Sequence, residues 1–298
     1  MNRRQNRLQI LALCIILTLP TAVIGETKQQ PIFDAHIHYS HDVWDAITPQ
    51  DAIRRLREAG IVRALVSSSS DEGTRKLYQA DPDFVIPALR PYRKRGTMGS
   101  WMHDKSIIPY LKQRLNSFRY VAIGEFHLQG AQAGLPVVRE VIKLASKHQL
   151  MLHVHSDAEA IRLIYEQDPK AHILWAHAGF EDASTVVEML DQHKNLWADL
   201  SFRWEIYTNN RFLRGWKELL LAHPDRFMLG IDTYEPQRWL KIQWTMDWQR
   251  SLLNALPEDV AQAIAYDNGN RVILDRFIKL NKDRDQSRIN EKDRLVVN

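Results

Sequence analysis

Short apolar runs alternate with amphipathic segments along the chain from Pro31 onward. Runs of about four to eight apolar residues predict buried strands, and apolar residues three or four apart predict helices. The apolar runs predict strands at Ile32–Tyr39, Val62–Ser67, Phe84–Leu89, Tyr120–Glu125, Leu150–His155, His172–His177, Leu196–Ser201 and Phe227–Asp232. Helical spacing predicts helices at Pro49–Ala59, Leu135–His148, Ala158–Gln167, Ala183–His193, Arg211–Ala222, Arg238–Leu256 and, after Pro257, Glu258–Ala265.

This alternation predicts the fold class. Strands that alternate with helices at intervals of roughly 25–35 residues are typical of an α/β protein, and eight of them predict a (β/α)8 TIM barrel. An open doubly wound sheet is the alternative, but no glycine-rich turn follows a predicted strand to support it. We therefore assign residues 31–280 to a single barrel domain. Residues 281–298 are mostly charged or Asn and predict a charged tail, either a frayed helix or a disordered segment.

The N-terminus has the pattern of a secretory signal peptide. Arg3, Arg4 and Arg7 precede the apolar stretch Leu8–Leu19, which ends at Pro20. We expect residues 1–25 to direct export to the periplasm or beyond the cell. An uncleaved anchor in the inner membrane is the alternative, although the apolar stretch is short for a membrane-spanning helix.

Composition and charge narrow the class further. The chain has 298 residues, of which 45% are hydrophobic and 26% charged, as in an ordinary globular protein. The formal net charge of +4 is small for this length and is not clustered as a nucleic-acid interface requires. Cys14 is the only cysteine and lies in the predicted signal segment. An exported mature chain would then depend on its core, without disulfides.

Polar residues with metal-binding side chains stand at the predicted ends of five strands. Barrel enzymes build their sites at these C-terminal ends. His36 and His38 share one face of the first strand because side chains repeat every second residue. The full set of strand-end residues is His36, His38, Glu125, His155, His177 and Asp232. One such residue is commonly structural, but six at one barrel mouth predict a metal site.

These residues match, in order, the metal-binding positions of the amidohydrolase superfamily, which the chain resembles from Pro31 to Leu274. The resemblance is greatest to the amidohydrolase-related branch of small lactonases and decarboxylases, through His177-Ala178-Gly179, Gly230-Ile231-Asp232 and Asn268-x-x-Arg271. A weaker resemblance to TatD-like nucleases covers Ile123-Gly124-Glu125. There the chain departs from the nuclease pattern: Asp157 stands where an Arg is expected, and Gly230 where a Glu is expected.

The resemblance implies a divalent metal cofactor. Nitrogen and carboxylate ligands favour Zn²⁺, and Mn²⁺, Fe²⁺ and Co²⁺ also suit them. In the favoured two-ion arrangement, His36, His38 and Asp232 bind one ion, His155 and His177 bind the other, and Glu125 bridges them. In the one-ion alternative His36, His38, His155 and Asp232 are the ligands, and His177 polarises the substrate carbonyl.

Catalytic and supporting roles follow from the same resemblance. A metal-activated water attacks the substrate, Asp232 transfers its proton to the leaving group, and His177 or Arg90 stabilises the oxyanion. Arg90 is also a candidate substrate-binding residue, with a salt bridge or a solvated loop position as the alternative. Asp34 and His153 face inward and are expected to support the ligands, Asp34 by orienting an imidazole. For His153 the alternative is that it is the strand-five ligand in place of His155. His127 and Tyr234, by contrast, are assigned to packing or to the surface.

The leading function is an exported metal-dependent hydrolase that acts on a small ester, lactone or amide. A metal-dependent decarboxylase, a TatD-like phosphoesterase or nuclease, and a non-catalytic binding barrel are the alternatives. The expected partner is a small-molecule substrate rather than nucleic acid, with no stable membrane partner once the signal is removed, and a homo-oligomer is compatible with the pattern. The substrate itself cannot be identified, because the loops that select it vary on a constant barrel.

Overall fold

The computed structural model describes residues 30–94 and 96–296, with side chains as far as residue 286. The predicted signal segment, residues 1–25, lies outside the described residues. Within the part of the chain that is described, no helix is both long and apolar enough to cross a membrane.

The centre of the fold is a barrel of eight parallel strands. These strands are β1 Ile32–Ile37, β2 Ile61–Val66, β3 Val85–Leu89, β4 Ala122–His127, β5 Met151–His155, β6 Ile173–Trp175, β7 Leu196–Asp199 and β10 Phe227–Met228. They pair in chain order from β1 to β7 and then β10. A parallel bridge between Asp34 and Leu229 joins the last strand to the first, so the barrel closes and the predicted (β/α)8 fold is confirmed. Two short strands, β8 Tyr207–Thr208 and β9 Arg211–Phe212, form a separate antiparallel hairpin.

Helices surround this barrel. They are α1 Pro49–Glu58, α2 Asp71–Ala80, α3 Ile107–Ser117, α4 Pro136–Lys147, α5 Ala158–Gln167, α6 Ala183–Gln192, α7 Trp216–Ala222, α8 Pro236–Trp239, α9 Ile242–Asn254, α10 Glu258–Gln262 and α11 Asp275–Val296. Three of them begin at side-chain caps predicted by ordinary helix chemistry. The side chains of Thr48, Asp157 and Asp182 each accept a backbone N–H of the first turn.

The structure differs from the predicted elements at several boundaries. The helices α2 and α3 were not predicted. The predicted helix Arg211–Ala222 is wrong in its first third, because residues 211–212 belong to the hairpin and α7 begins only after Gly215, which has a φ of +83°. The predicted strand His172–His177 ends earlier, at Trp175, because His177 adopts a left-handed backbone conformation. The segment from residue 281 continues the helix α11.

Apolar side chains fill two regions of the fold. One cluster lies between the strands and the surrounding helices. A second cluster joins residues at the starts of the strands, such as Met151 and Ala122, to the C-terminal helices. These are the π-helical segment Asn270–Leu274, which contains Ile273, and α11, which contains Phe277. Those helices therefore close the N-terminal end of the barrel. Gly269 permits their close approach, since a Cβ there would lie 2.2 Å from the Phe33 ring. The opposite end of the barrel, where the polar strand ends lie, is left for the site.

Candidate metal centre

The six candidate ligands converge at the C-terminal mouth of the barrel. His36 and His38 come from the end of β1, and the Nε2 atoms of their rings lie 3.2 Å apart. Asp232 follows β10, and its backbone N–H donates to the carbonyl of His36 at 2.7 Å. Parallel strands bring their ends to one edge, so residues almost 200 positions apart in sequence become neighbours.

We call the group on the β1 side the first cluster: His36, His38, Asp232 and the Oε2 atom of Glu125. Nε2 of His38 lies 3.2 Å from Oδ1 of Asp232 and 3.1 Å from Oε2 of Glu125. Nε2 of His36 lies 3.7 and 3.5 Å from the same two oxygens. Donors about 2.0–2.1 Å from one tetrahedral ion stand about 3.3–3.4 Å apart, so this spacing matches a shared ion.

The outer ring nitrogens of the first cluster are held by hydrogen bonds. Nδ1 of His36 donates to the carboxylate of Asp199 at 3.1 Å, and Nδ1 of His38 donates to the carbonyl of Ser67. When Nδ1 carries the proton, the lone pair lies on Nε2. Both Nε2 lone pairs are therefore directed to the centre of the cluster, as ligands to a metal require.

We call the group on the other side the second cluster: His155, His177 and the Oε1 atom of Glu125. Nδ1 of His155 lies 3.0 Å from Oε1, and Nε2 of His177 lies 3.7 Å from it. His127 is next to this cluster, with Nε2 3.9 Å from the same oxygen. Glu125 thus directs one oxygen to each cluster, which is the position of a bridging carboxylate.

The backbone is in the left-handed region at two of these residues. His177 has a φ of +57° and Asp232 a φ of +53°. Each such conformation costs on the order of 1–3 kcal/mol and persists only where the surroundings hold it. Buried arginines supply that support: Arg203 donates to the carbonyl of His177 at 2.8 Å, and Arg238 donates to that of Asp232 at 2.6 Å. Strain at both residues marks the mouth as a functional site.

Arg90, predicted as a substrate-binding residue, contacts Glu125. Its guanidinium donates to Oε2 of Glu125 at 2.7 Å and to the backbone carbonyl of the same residue at 3.0 Å. It also lies over the Tyr92 ring, 4.6 Å from the centroid. The salt-bridge alternative therefore describes most of its contacts, although Arg90 also lines the cavity at the mouth.

Asp34 and His153 lie beneath the ligands, as predicted, but Asp34 does not orient an imidazole. Its Oδ1 accepts the backbone N–H groups of His36 at 2.9 Å and Ile231 at 3.3 Å. This carboxyl therefore joins the first and last strands of the barrel. His153 is a buried histidine whose Nε2 lies 3.3 Å from Oδ2 of Asp199.

Asp199, which the sequence reading missed, is the residue that orients the imidazoles. It is fully buried at the end of β7 and contacts the rings of His36 and His153. Its other oxygen accepts the backbone N–H of His177 at 3.3 Å and that of Ser201 at 3.0 Å. A signal was present: Asp199 ends an apolar strand, as the six candidate ligands do.

The site brings carboxylates and imidazoles together in a buried space, where each shifts the pKa of the other. Burial by itself would raise the pKa values of Glu125, Asp199 and Asp232. The neighbouring imidazoles outweigh it and lower all three, well below the usual range for Glu125 and Asp199 and to about 2 for Asp232. Burial would lower the pKa of His36, but the carboxylates outweigh it and raise that pKa well above its usual value. Three ionised carboxylates thus require positive charge nearby. In the metal-free protein, protons on the imidazoles supply it, and a divalent cation can replace those protons.

Burial governs the pKa of three further groups. It raises the pKa of Asp34 to about 8 and lowers that of His153 to about 4. It also lowers the pKa of His127 to about 3. The histidines beside the ligands are therefore neutral at physiological pH.

The donor set fits a divalent metal ion. Oδ1 of Asp232 is buried and has no hydrogen-bond partner among the described residues, although it faces Nε2 of His38. The donor atoms of His36, His38 and Asp232 all lie within 4.8 Å of one another. Buried polar atoms are normally paired, so this unpaired oxygen beside two converging imidazoles is available to a metal ion.

A cavity of about 290 Å³ opens above both clusters. Its floor contains Glu125, His155, His177 and Asp232. Its walls are apolar or aromatic and come from Met98, Phe180, Phe202 and Tyr234. A pocket of this size with a polar floor and apolar walls is typical of a small-molecule site.

No protein-family model matches the sequence, and no curated protein matches it. Solved structures do match the fold. An uncharacterised TIM-barrel protein from Bordetella bronchiseptica has a TM-score of 0.57 and 13% identity, covering 83% of this chain and 99% of its own. A protein from Acinetobacter baumannii, described as a "probable 2-pyrone-4,6-dicarboxylic acid hydrolase" with citric acid bound, has a TM-score of 0.57 and 11% identity, covering 81% and 98%.

An amidohydrolase from Burkholderia multivorans with bound zinc is also similar, with a TM-score of 0.54 and 11% identity, covering 82% of this chain and 99% of its own. At this level of identity the likeness establishes a shared fold. The comparison therefore supports the barrel fold of this chain.

Proposed function

We propose that this chain is a metal-dependent hydrolase of the amidohydrolase superfamily, acting on a small ester, lactone or amide. The observation that carries the proposal is the first cluster. There each of two imidazole nitrogens stands 3.1–3.7 Å from each of two carboxylate oxygens, and the residues come from three different strands at the barrel mouth. The zinc-bound amidohydrolase of the same fold supports the choice of cofactor.

The residues that would hold metal are those of the two clusters. His36, His38 and Asp232 would hold the first ion, His155 and His177 a second ion, and Glu125 would lie between them. A divalent ion supplies Lewis acidity and lowers the pKa of a water ligand from about 15.7 to about 7. Zn²⁺ is the ion that this set of nitrogen and carboxylate donors favours.

Asp232 is the proposed proton carrier. Its low pKa keeps the carboxylate ionised, so it can accept a proton from the attacking water. Its Oδ2 lies 3.8 Å from Nε2 of His177, and both residues line the cavity. The proton accepted at Asp232 then passes to the leaving group. In the one-ion arrangement His177 is not a ligand, and its ring would face the developing oxyanion.

The cavity supports a small organic substrate rather than a nucleic acid. Its walls are formed by Phe180, Phe202, Tyr234 and Met98, with Arg90 as the only arginine or lysine among the described lining residues. Phosphodiester backbones require several cations along a groove. Arg90 also donates to Glu125, which leaves fewer of its donors for a phosphate.

A decarboxylase is the second candidate, and the difference between the two clusters favours it. The histidines of the first cluster are fully buried and their outer nitrogens are hydrogen-bonded, whereas His155 of the second cluster is 30% exposed. A single firmly held ion would suit carbon–carbon cleavage beside a carboxylate. The number of bound ions therefore separates the two functions.

Metal analysis and a substrate panel test the proposal together. Purified protein loaded with Zn²⁺, Mn²⁺ or Co²⁺ is desalted and its metal content measured, and turnover is then assayed on lactones, esters, amides, phosphodiesters and carboxylated aromatics. Near two equivalents of metal with lactone, ester or amide hydrolysis supports the hydrolase. One equivalent with release of CO₂ from a carboxylated aromatic identifies the decarboxylase. No metal bound after reconstitution contradicts both.

Export of the protein and formation of a homo-oligomer are two separate proposals. The segment of residues 1–25 supports export to the periplasm. Cell fractionation with N-terminal sequencing of the mature chain checks this, since an intact N-terminus in the membrane fraction indicates an anchor instead. Size-exclusion chromatography with light scattering determines whether the chain forms a homo-oligomer.

A further inference from the structure

Tyr92 and His127 form a buried pair beside the second cluster. Tyr92 follows β3 and is only 3% exposed, and His127 is the last residue of β4. The Tyr92 hydroxyl oxygen accepts the backbone N–H of His127 at 2.7 Å. The same oxygen lies 2.8 Å from Nδ1 of the His127 ring. One phenol thus contacts both the backbone and the side chain of a single residue.

These two contacts determine where the imidazole proton lies. A phenol has a single proton to donate, and among the described residues Nδ1 of His127 is the acceptor within reach of Tyr92. If Nδ1 carried the proton instead, the buried hydroxyl would have no acceptor, at a cost of about 1–3 kcal/mol. Nδ1 therefore accepts from Tyr92, and the imidazole proton is on Nε2.

The His127 ring lines the cavity, and no hydrogen bond from Nε2–H is found among the described residues. His127 lines the cavity together with Glu125 and His155, and its side chain is 24% exposed. The closest oxygen of Glu125 is 3.9 Å from Nε2, which is too long for a hydrogen bond. The backbone of His127 is held in place, since the Trp101 indole donates to the His127 carbonyl at 2.9 Å.

The stacking of two rings argues against His127 as a ligand of the second ion. The rings of His127 and His155 lie 4.0 Å apart with an interplanar angle of 24°. The donor atoms of Glu125, His127 and His155 lie within 4.8 Å of one another, which is close enough for a shared ion. Ring-nitrogen lone pairs lie in the ring plane, however, so nearly parallel stacked rings direct them alongside one another. A proton on Nε2 also removes the lone pair that a metal would need.

We propose that His127 donates a hydrogen bond from Nε2–H to the substrate's carbonyl oxygen, and that Tyr92 is the positioning residue that keeps the proton on Nε2. This inference rests on the proposed hydrolase function. A preorganised neutral donor beside the reacting carbonyl stabilises the charge that develops on its oxygen as water attacks. Because this hydrogen bond strengthens in the transition state, its loss is expected to lower kcat more than it raises KM.

The position of the proton can be measured without any substrate. The zinc-loaded protein is labelled with ¹⁵N-histidine, and the His127 signals are assigned by their loss in His127→Gln. We expect wild-type His127 to be neutral with its proton on Nε2, and Tyr92→Phe to give a mixture of both tautomers. A proton on Nδ1, a doubly protonated ring at neutral pH, or an unchanged tautomer in Tyr92→Phe overturns the proposal. An unprotonated Nε2 that shifts on metal loading also overturns it, since His127 would then be a ligand.

Kinetics on the best substrate of the panel provides the second readout. His127→Leu removes the donor and is expected to lower kcat by about 10²-fold, whereas His127→Gln keeps an N–H donor at similar reach and retains most of the rate. Equal losses in the Leu and Gln variants overturn the donor role. Tyr165→Phe is the matched control, because Tyr165 stacks on His193 at 4.0 Å, far from the mouth, and should leave kcat unchanged.

The two proposals fail in different ways. If the metal-loaded wild type hydrolyses no lactone, ester or amide, the hydrolase function is wrong, and the substrate donor role of His127 fails with it. In that case the ¹⁵N measurement still decides whether Tyr92 controls the His127 tautomer. If the enzyme is active but the tautomer is the other one, only the inference about the pair is wrong.

Discussion

The two clusters at the barrel mouth hold their imidazoles in different ways. In the first cluster His36 and His38 are fully buried, and their outer nitrogens donate to Asp199 and Ser67. In the second cluster His155 is 30% exposed and turns Nδ1 rather than Nε2 to Glu125. Its support is the stacked ring of His127. The histidines of the first cluster are thus buried and hydrogen-bonded, whereas His155 of the second cluster is open to the cavity.

From this difference we expect the first cluster to hold an ion and the second cluster to contact the substrate. Hydrogen bonds to the outer nitrogen fix the tautomer and orientation of a ligand histidine and raise its affinity for metal. The first cluster has these bonds on both of its histidines. In the second cluster they hold His177, through the carbonyl of Ser201 at 2.9 Å. We therefore expect the first cluster to bind its ion more tightly, and the second to exchange ion, water and substrate.

The largest effect should come from removing a histidine of the first cluster, and the matching variant in the second cluster is the comparison. His38→Ala is expected to lose the first ion and to lower kcat/KM by about 10³-fold or more, because the remaining ligands no longer surround the ion. His155→Ala should lose only the more weakly held ion and retain more activity. Metal content after desalting and steady-state kinetics measure both. Equal losses in the two variants would mean that the clusters are equivalent.

The next largest effect is expected at Asp232. The variant Asp232→Asn keeps an oxygen at the position of a ligand but removes the proton acceptor, so turnover should fall by about 10²–10⁴-fold while metal remains bound. The check is kcat together with metal content on one preparation. Full activity would refute the proton-transfer role, and loss of metal along with activity would make Asp232 a ligand alone.

A smaller effect should follow from Asp199→Asn. The substitution keeps the shape of the side chain but removes the charge that orients His36, so the affinity for the first ion should fall by about 10–100-fold. Titration with a competing chelator measures this affinity. Asp259→Asn, on the exposed start of α10, is the control and should leave it unchanged. An unaltered affinity in Asp199→Asn would show that burial alone holds the first cluster.

The smallest effect concerns the pH dependence of stability beneath the first cluster. Burial raises the pKa of Asp34 from 3.8 to about 8, so the native state holds a proton that the unfolded chain releases. The free energy of unfolding should therefore decrease as pH rises from about 4 to about 8 and level off above it. Asp34→Asn lacks this contribution, so its Tm relative to the wild type should rise by a few degrees between pH 5 and pH 8. Thermal melts of chelator-treated protein test this, and parallel curves would contradict the raised pKa.

The barrel was predictable because its signals are local. Each of the eight predicted strands overlaps a strand of the structure, since an apolar run buried on both faces is visible over a few residues. The helix α2 is hard to predict because only Leu77, Tyr78 and Ala80 of its residues are apolar, whereas α3 has Ile107, Leu111 and Leu115 at helical spacing. The predicted helix Arg211–Ala222 includes β9 because Phe212, Trp216 and Leu219 also fit helical spacing.

The sequence predicts which metal-binding residue types lie at the barrel mouth. His36, His38 and Asp232 could be grouped because strand ends must meet in a barrel. Asp199 ends a strand in the same way but was passed over, since a lone Asp after an apolar run is also a common turn residue. His127 was assigned to packing because its partner, Tyr92, stands 35 residues earlier in a different loop.

By itself, the sequence determined the barrel, the end of the barrel that carries the site, and the six side chains that converge there. These follow from periodicity and from the rule that parallel strands align their ends. Only the tertiary structure decided which nitrogen of each ring faces the centre, because that depends on partners such as Asp199, 163 residues away from His36. It also decided that the two sides of the mouth differ. Burial and hydrogen bonding between strands cause that difference, and neither can be inferred from the spacing of residues along one strand.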